Sequence, residues 1–306
     1  MKELETICKI ALIQATPVMF DKTAGLKKSL QLIDTCAAKG AKLIVFPELF
    51  IPGYPFGLTF GFRVGSRSEK GREDWKTYYD NSLLSDGPEM QEIIDRAKKY
   101  GVYLSLGYSE KDAVTGTLYN SNLMIAPDGQ ALNHRKIKPT GSERVVWGDG
   151  NQDYFPVMET PWGPMGNLIC WESYMPLARV ALYQQGISLY ISPNTNDNPE
   201  WQDTIRHIAL EGRCYFINAD MVFGRKDYPQ TVSGEAEIAA LPDLVCRGGS
   251  CIIDPYGHPV TEVLWDKEGI LYADLDMQQV PASRMEFDPC GHYSRPDLLQ
   301  LTVKKG

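Results

Sequence analysis

The chain alternates apolar runs with amphipathic stretches in a strand–helix–strand order. An apolar run at 7–15 precedes a helical pattern at 24–38, and the run KLIVFPE follows at 42–48. This is the order of the parallel crossover unit. It returns where MGNLIC (165–170) predicts a strand, MPLARVALYQQG (175–186) a helix and ISLYISP (187–193) another strand. Glu48 and Cys170 therefore both come at the carboxyl end of a predicted buried strand, where open α/β sheets place their sites.

Two further segments read as hairpins and resemble each other. SNLMIAPDGQAL (121–132) and GSCIIDPYGHPV (249–260) each run from an apolar strand through a turn with Pro and Gly into a second strand. Other strands are predicted at 103–108, 215–221 and 269–275, and helices at 90–99 and 198–211. The total is about twelve strands and about four or five helices. Because a sheet of more than ~10 strands curls or splits, we expect an α/β sandwich of two sheets with helices outside.

Charge and cysteine content limit the partners and the cell compartment that we expect for this protein. The net charge of −8 gives no reason to expect a nucleic acid or an anionic membrane as partner, since both attract basic surfaces. No apolar stretch approaches the ~20 residues of a membrane span, and charges interrupt the amino-terminal segment, so we expect a cytoplasmic protein. The seven cysteines lack the spacing of a disulfide scaffold and predict reduced thiols.

Cys170 is the candidate nucleophile. A free cysteine after an apolar run usually packs as a small hydrophobe, but a strand end that leads into a helix can also project a reactive group into a cleft. The usual base for a thiol is histidine, and none of the histidines stands out: they are His134, His207, His258 and His292. Glu48 is the better candidate, although its position alone fits an exposed strand end equally well. No clustered Cys or His pair predicts a metal site.

The segment NHRKIKPTGSERVVWGDG (133–150) concentrates basic residues. An exposed edge strand is the simple interpretation, because edge strands often carry lysine. Alternation with period two, however, places His134, Lys136 and Lys138 on one face of a strand. A buried ammonium near an acid could stabilise charge that forms on a substrate.

Taken together, three motifs resemble those of the nitrilase, or carbon–nitrogen hydrolase, superfamily. They are FPELFIPGYP (46–55), HRKIKPT (134–140) and NLICWESYMP (167–176). WQDTIRHIALEGRC (201–214) and FDPCGHYSRPDLL (287–299) are similar to the nitrilase branch. The resemblance implies a four-layer α-β-β-α sandwich in which residues 1–306 form a single domain.

Position by position, the resemblance implies that Glu48 is the general base, Lys136 the cationic stabiliser and Cys170 the nucleophile. The choice of Lys136 over Lys138 rests on the resemblance alone. Glu143 matches a second family glutamate that positions a reacting group and assists proton transfer. From the sequence alone, Glu143 could equally be a surface partner of charges near Arg144.

The implied activity is hydrolysis of an organic nitrile to the carboxylic acid and ammonia through a thioimidate and an acyl thioester. No cofactor or metal is expected. Tyr54, Trp147 and Trp171 are candidates for the substrate pocket, with core packing as the alternative for each. The rival functions are an amidase or carbamoylase of the same superfamily and a catalytically silent scaffold.

We also expect a homodimer or small homo-oligomer. The predicted interface combines residues 175–183 with the helix that carries Arg206, His207 and Glu211. Long filaments are not expected, because the sequence ends soon after RPDLLQLTV, whereas many relatives continue with a long tail.

Overall fold

The computed structural model describes residues 5–151, 154–196 and 198–304. The strands in this part of the chain are β1 (Ile7–Gln14), β2 (Leu43–Val45), β3 (Tyr103–Lys111), β4 (Leu118–Ile125), β5 (Ala131–Arg135), β6 (Val157–Met158), β7 (Met165–Asn167), β8 (Leu189–Asn194), β9 (Tyr215–Asp220), β10 (Val222–Gly224), β11 (Leu244–Ile253), β12 (Leu264–Trp265) and β13 (Gly269–Asp276). They form two sheets, ordered β13-β1-β2-β3-β4-β5 and β10-β11-β9-β8-β7-β6, with β12 paired to β11.

Four of the helices in the described chain pack on the outer faces of the two sheets. The α-helices are α1 (Lys22–Ala38), α2 (Glu69–Asp80), α3 (Pro88–Tyr100), α4 (Pro176–Tyr183), α5 (Trp201–Gly212), α6 (Glu235–Ala239) and α7 (Gln279–Ser283). The four that pack on the sheets are α1, α3, α4 and α5. Short 3₁₀-helices span Gly141–Val145, Cys170–Tyr174 and Arg225–Asp227. None of these described helices has the length and apolar character needed to cross a membrane.

The buried apolar residues form successive layers that define the architecture. Residues of α1 and α3, such as Ile33 and Ile93, pack on one face of the first sheet. Its other face, with Leu12, meets Leu189 and neighbours of the second sheet. Residues of α4 and α5, such as Leu182, cover the outer face of that second sheet. The predicted four-layer α-β-β-α sandwich is therefore confirmed.

Most predicted elements are present, with corrections where short or polar elements escaped the pattern. The 121–132 hairpin is confirmed as β4 and β5. The hairpin predicted at 249–260 is wrong in its second strand, because only an isolated bridge joins Ile253 at the end of β11 to Pro259. The strand that pairs with β11 after this turn is β12. The number of helices predicted from the sequence is too low. The pattern misses α2 because it is highly charged, and α6 and α7 because they have only five residues each.

Gly107 in β3 lets the segment around Glu48 lie directly against the first sheet. The Phe50 N–H donates to the Gly107 carbonyl at 2.8 Å. A Cβ atom on Gly107 would lie 2.2 Å from the Pro47 oxygen and 2.8 Å from the Glu48 Cα atom, well inside contact distance. Glycine is therefore required here by close approach of two backbones.

We expect Gly107→Ala to destabilise the protein by more than ~2 kcal/mol, because the added methyl group collides with backbone that cannot move without breaking the adjoining hydrogen bonds. Gly25→Ala in α1 is the control. Its Cβ would lie 3.6 Å from Ile51, an ordinary contact, so the variant should be unchanged or more stable by about 0.5–1 kcal/mol. Urea unfolding of both variants measures the difference, and equal unfolding free energies would contradict the close-approach argument.

Candidate active site

A buried ion cluster lies beyond the carboxyl ends of β2 and β5 in the first sheet. Lys136, one residue past β5, donates from Nζ to Glu48 Oε1 at 2.9 Å and to Glu143 Oε2 at 2.9 Å. The side chains of Lys136 and Glu48 are fully buried, and that of Glu143 is 7% exposed. Glu48 is thus a buried acid and not an exposed strand end. Glu143 is a partner of Lys136 and not of a surface charge.

Further donors hold both carboxylates in place. The Asn120 side chain donates to Glu48 Oε1 at 2.7 Å. Glu143 accepts from the Tyr54 hydroxyl at 2.8 Å and from the Thr140 N–H at 2.7 Å. Glu48 Oε2, in contrast, is buried and has no hydrogen-bond partner among the described residues. This oxygen of Glu48 is available to take a proton.

Burial and mutual attraction set the charge states of the cluster. Burial raises the pKa of the Glu48 carboxyl, and the Lys136 charge partly offsets the rise. Burial alone would lower the pKa of Lys136, but the charges of Glu48 and Glu143 outweigh it and hold this pKa above its ordinary value. Lys136 therefore stays a cation at neutral pH, and Glu48 is a stronger base than a surface glutamate.

Cys170 begins the 3₁₀-helix Cys170–Tyr174 with φ of +53°, a left-handed conformation that is strained for a residue with a side chain. Burial raises the pKa of its thiol well above the usual value, the charge of Glu48 adds to the rise, and Lys136 opposes it. The resting thiol is therefore protonated. A nucleophile in this state needs a base at the moment of attack.

A cavity of about 410 Å³ adjoins the cluster and is lined by Glu143 together with Tyr54 and Trp147. This volume lies within the usual range for small-molecule pockets. Trp171 is not among the residues that line it: its ring is 50% exposed and packs edge-on against Tyr174, with centroids 5.6 Å apart. The structure thus brings two of the three aromatic candidates to the cavity and separates the third from it.

The face predicted for His134, Lys136 and Lys138 is not continuous. β5 ends at Arg135, so period-two alternation stops before Lys136. His134, Arg135 and Lys136 are all buried. Lys138 is 50% exposed and pairs with Asp149 at 2.7 Å. The end of the strand therefore separates the two lysines that the pattern had grouped together.

Two polar residues of the site escaped the sequence reasoning. Asn120, which holds Glu48, lies in the buried strand β4, where Ser121 and Asn122 are polar too, so polarity alone does not single it out. Glu172, in the CWE triplet, is buried and bonded to His134. No group of three or more His, Cys, Asp or Glu side chains suited to a metal ion occurs within the described ranges.

Comparison with known proteins identifies relatives along nearly the whole chain. The model of the carbon-nitrogen hydrolase family matches residues 9–285. The chain is 43% identical to an aliphatic nitrilase of Sinorhizobium fredii (strain HH103), over 96% of this chain and 95% of that protein. It is 41% identical to nitrilase 2 of Arabidopsis thaliana, over 98% and 89% of the two chains. A bifunctional nitrilase/nitrile hydratase of Lupinus angustifolius is 40% identical over 97% and 86%.

Solved structures share the fold at lower identity. Saccharomyces cerevisiae Nit3, a member of branch 10 of the nitrilase superfamily, superposes with a TM-score of 0.73 at 22% identity, covering 96% of this chain and 98% of its own. An amidase double mutant from Nesterenkonia in complex with acrylamide gives a TM-score of 0.65 at 19% identity, with 92% and 96% covered. At these identities the likeness concerns the fold alone.

We expect Lys136→Met to lower hydrolytic activity by roughly 10³-fold or more, because it removes the cation between two buried carboxylates. Lys138→Met should retain most activity, since an exposed ion pair contributes only about 0–1 kcal/mol. Turnover of the two purified variants, each checked for folding by circular dichroism, tests the assignment. An active Lys136→Met beside an inactive Lys138→Met would reverse it.

Proposed function

This chain belongs to the carbon–nitrogen hydrolase family, and we propose that it is a nitrilase, which hydrolyses an organic nitrile to the carboxylic acid and ammonia. The observation that carries the proposal is the buried Glu48–Lys136–Glu143 cluster beside a cysteine on a strained turn. Relatives at about 40% identity over nearly the full chain, named as nitrilases, support it. We also propose that residues 1–306 form one domain, because both sheets share a single internal core.

The first chemical step forms the thioimidate. Glu48 takes the thiol proton on its unpartnered Oε2 while the sulfur of Cys170 attacks the nitrile carbon. One π bond of the C≡N group breaks, and its electron pair moves to nitrogen. Lys136 and the Trp171 N–H, which lies in the first turn of a 3₁₀-helix and has no acceptor within it, stabilise the charge. The proton held by Glu48 then passes to this nitrogen, which completes the thioimidate and leaves Glu48 a carboxylate again.

Water then completes the hydrolysis in two stages. The first water adds to the thioimidate carbon and gives a tetrahedral intermediate that carries sulfur, oxygen and nitrogen. Protonation of the nitrogen breaks the C–N bond, releases ammonia and leaves an acyl thioester. A second water, deprotonated by Glu48, attacks the thioester, and the acid leaves as the Cys170 thiol forms again. Glu143 orients Lys136 and assists proton transfer to nitrogen.

The cavity beside Glu143 is proposed to hold the substrate's side chain. Tyr54 and Trp147 provide apolar ring surface, and burial together with Glu143 raises the pKa of Tyr54 well above its usual value. Tyr54 therefore remains a hydrogen-bond donor to Glu143 while its ring faces the substrate. The exposed ring of Trp171 has no part in this pocket.

The alternative functions find less support. The Nesterenkonia amidase of solved structure is only 19% identical to this chain, and the likeness concerns the fold. A silent scaffold does not explain why a lysine and two glutamates are kept buried together, since such a cluster costs desolvation energy without contributing to packing.

We further propose a cytoplasmic homo-oligomer built on a dimer. The cysteines in the described chain are all free, as in reducing compartments. The segment after Cys170 exposes a contiguous apolar stretch: Trp171, Tyr174, Met175 and Leu177 are 40–66% exposed. Exposed apolar stretches of this kind mark association sites, and two residues of this one, Met175 and Leu177, lie within the interface expected at residues 175–183.

For the reaction, we expect the purified protein to convert a simple nitrile to acid and ammonia with little amide, and to act poorly on the free amide. Positioned charges at the nitrogen favour loss of ammonia over loss of sulfur. Chromatography of acid, amide and ammonia from aliphatic, aromatic and arylacetic nitriles and their amides provides the measurement. Cys170→Ala, folded but inactive, is the control. Rapid turnover of amides without any action on nitriles would overturn the proposal in favour of an amidase.

For the assembly, Leu177→Asp should weaken self-association, because it places a charge in the apolar stretch where Leu177 is 66% exposed. Val114→Asp is the matched control, since Val114 is 93% exposed but lies in a turn away from this stretch. Sedimentation velocity at micromolar concentration measures the mass of each. A wild-type monomer, or identical behaviour of the two variants, would refute the proposed interface.

A further inference from the structure

The buried carboxylate of Glu172 bonds to both sheets of the sandwich. Its Oε1 accepts from the Ile137 N–H at 2.6 Å, and its Oε2 accepts from the Ile169 N–H at 2.7 Å. Oε2 also lies 2.9 Å from Nε2 of His134, and neither side chain of this pair is exposed. Because a carboxylate only accepts hydrogen bonds, the network assigns the donor role to Nε2 of His134.

The two backbone donors belong to the neighbours of two proposed catalytic residues. Ile137 directly follows Lys136, just beyond β5 at the edge of the first sheet. Ile169 directly precedes Cys170, just beyond β7 of the second sheet. One carboxylate therefore joins the segment that carries the ammonium to the segment that carries the thiol, across the interface between the sheets.

We propose that Glu172 is a positioning residue. It holds the Cys170 sulfur at a fixed position relative to the Lys136 ammonium, here called the register of the two groups, and thereby controls both turnover and the ratio of acid to amide. This inference rests on the proposed nitrilase function. Glu172 acts through the backbone on either side and contacts none of the reacting atoms.

The product ratio depends on this register because the tetrahedral intermediate has two leaving groups. When the nitrogen is protonated, the C–N bond breaks, ammonia leaves and the thioester goes on to the acid. When the nitrogen is not protonated, the C–S bond breaks, the departing sulfur takes a proton and the amide is released. The intermediate is tethered to Cys170, so a shift of Cys170 relative to Lys136 withdraws the ammonium protons, which Glu143 orients, from the nitrogen.

An amide side chain at position 172 cannot replace the carboxylate. Glutamine has the same size, but one of its terminal atoms is a donor. His134 can adapt by exchanging the proton between its ring nitrogens, whereas the N–H groups of Ile137 and Ile169 can only donate. In any orientation of Glu172→Gln, one of these two N–H groups therefore faces another donor or loses its acceptor, and one side of the connection is released.

We expect Glu172→Gln to lower kcat by about 10- to 100-fold, to leave KM within about threefold of the wild-type value, and to raise the amide fraction about fivefold or more. Glu172→Asp keeps the charge but is one methylene shorter, so that it cannot reach both N–H groups, and should give intermediate values. Steady-state kinetics on one nitrile, with chromatographic quantification of acid and amide, measures all three quantities.

Glu110→Gln is the matched control. Glu110 is also buried, but it bonds to Arg135, Ser121 and Asn133, all on strands of the first sheet. Its replacement should lower the melting temperature without changing the ratio of acid to amide. If a folded Glu172 variant, Gln or Asp, keeps both the wild-type kcat and the wild-type ratio, the positioning role is wrong. An equal rise in amide from Glu110→Gln would also overturn it, since general loosening would then explain the effect.

A failure of the proposed function can be recognised separately. If the wild-type protein hydrolyses no nitrile, the rate at which iodoacetamide alkylates Cys170, followed by mass spectrometry across a range of pH, tests the positioning role directly. Loss of register moves the thiol relative to Glu48 and Glu143, which raise its pKa, and relative to Lys136, which lowers it. Glu172→Gln should therefore displace this pH profile, while Glu110→Gln leaves it in place. Coincident profiles for Glu172→Gln and the wild type would overturn the inference.

Discussion

The structure around the site depends on one ammonium group buried between two carboxylates. Lys136 is fully buried, and only the charges of Glu48 and Glu143, each within 2.9 Å, keep it ionised there. Removing Lys136 leaves two carboxylates uncompensated in a low-dielectric interior, and breaking a buried ion pair in this way typically costs ~3–5 kcal/mol. The surrounding donors, such as Asn120, complete the hydrogen bonding that such a cluster requires.

In the proposed mechanism, this cluster also accounts for the activation of a buried thiol by a weak base. The pKa of the Cys170 thiol is raised by burial, so the thiolate is not present in advance. Burial raises the pKa of Glu48 too, and in the proposed mechanism Lys136 stabilises negative charge as it passes from carboxylate to sulfur and on to the substrate nitrogen. A single cation thus serves successive steps, provided that the distance between sulfur and ammonium is maintained.

That distance is a property of the sandwich and not of one sheet. Lys136 extends from the first sheet and Cys170 from the second. The apolar core between the sheets fixes their separation on average, but apolar contacts are not directional and cannot fix a local register. Directional bonds to a shared carboxylate, Glu172, provide the local constraint.

The sequence by itself determined the family, the sandwich and the identity of the motif residues, because period-two and period-3.6 patterns and ordered motifs are local signals. It placed Glu48 and Cys170 at the carboxyl ends of predicted strands, whereas in the structure β2 and β7 end earlier, at Val45 and Asn167. Only the tertiary structure decided that Lys136 is buried while Lys138 is exposed, since this depends on where β5 stops. It also decided that Glu172 joins the two sheets, because its partner Ile137 is 35 residues distant along the chain and no periodicity reports such contacts.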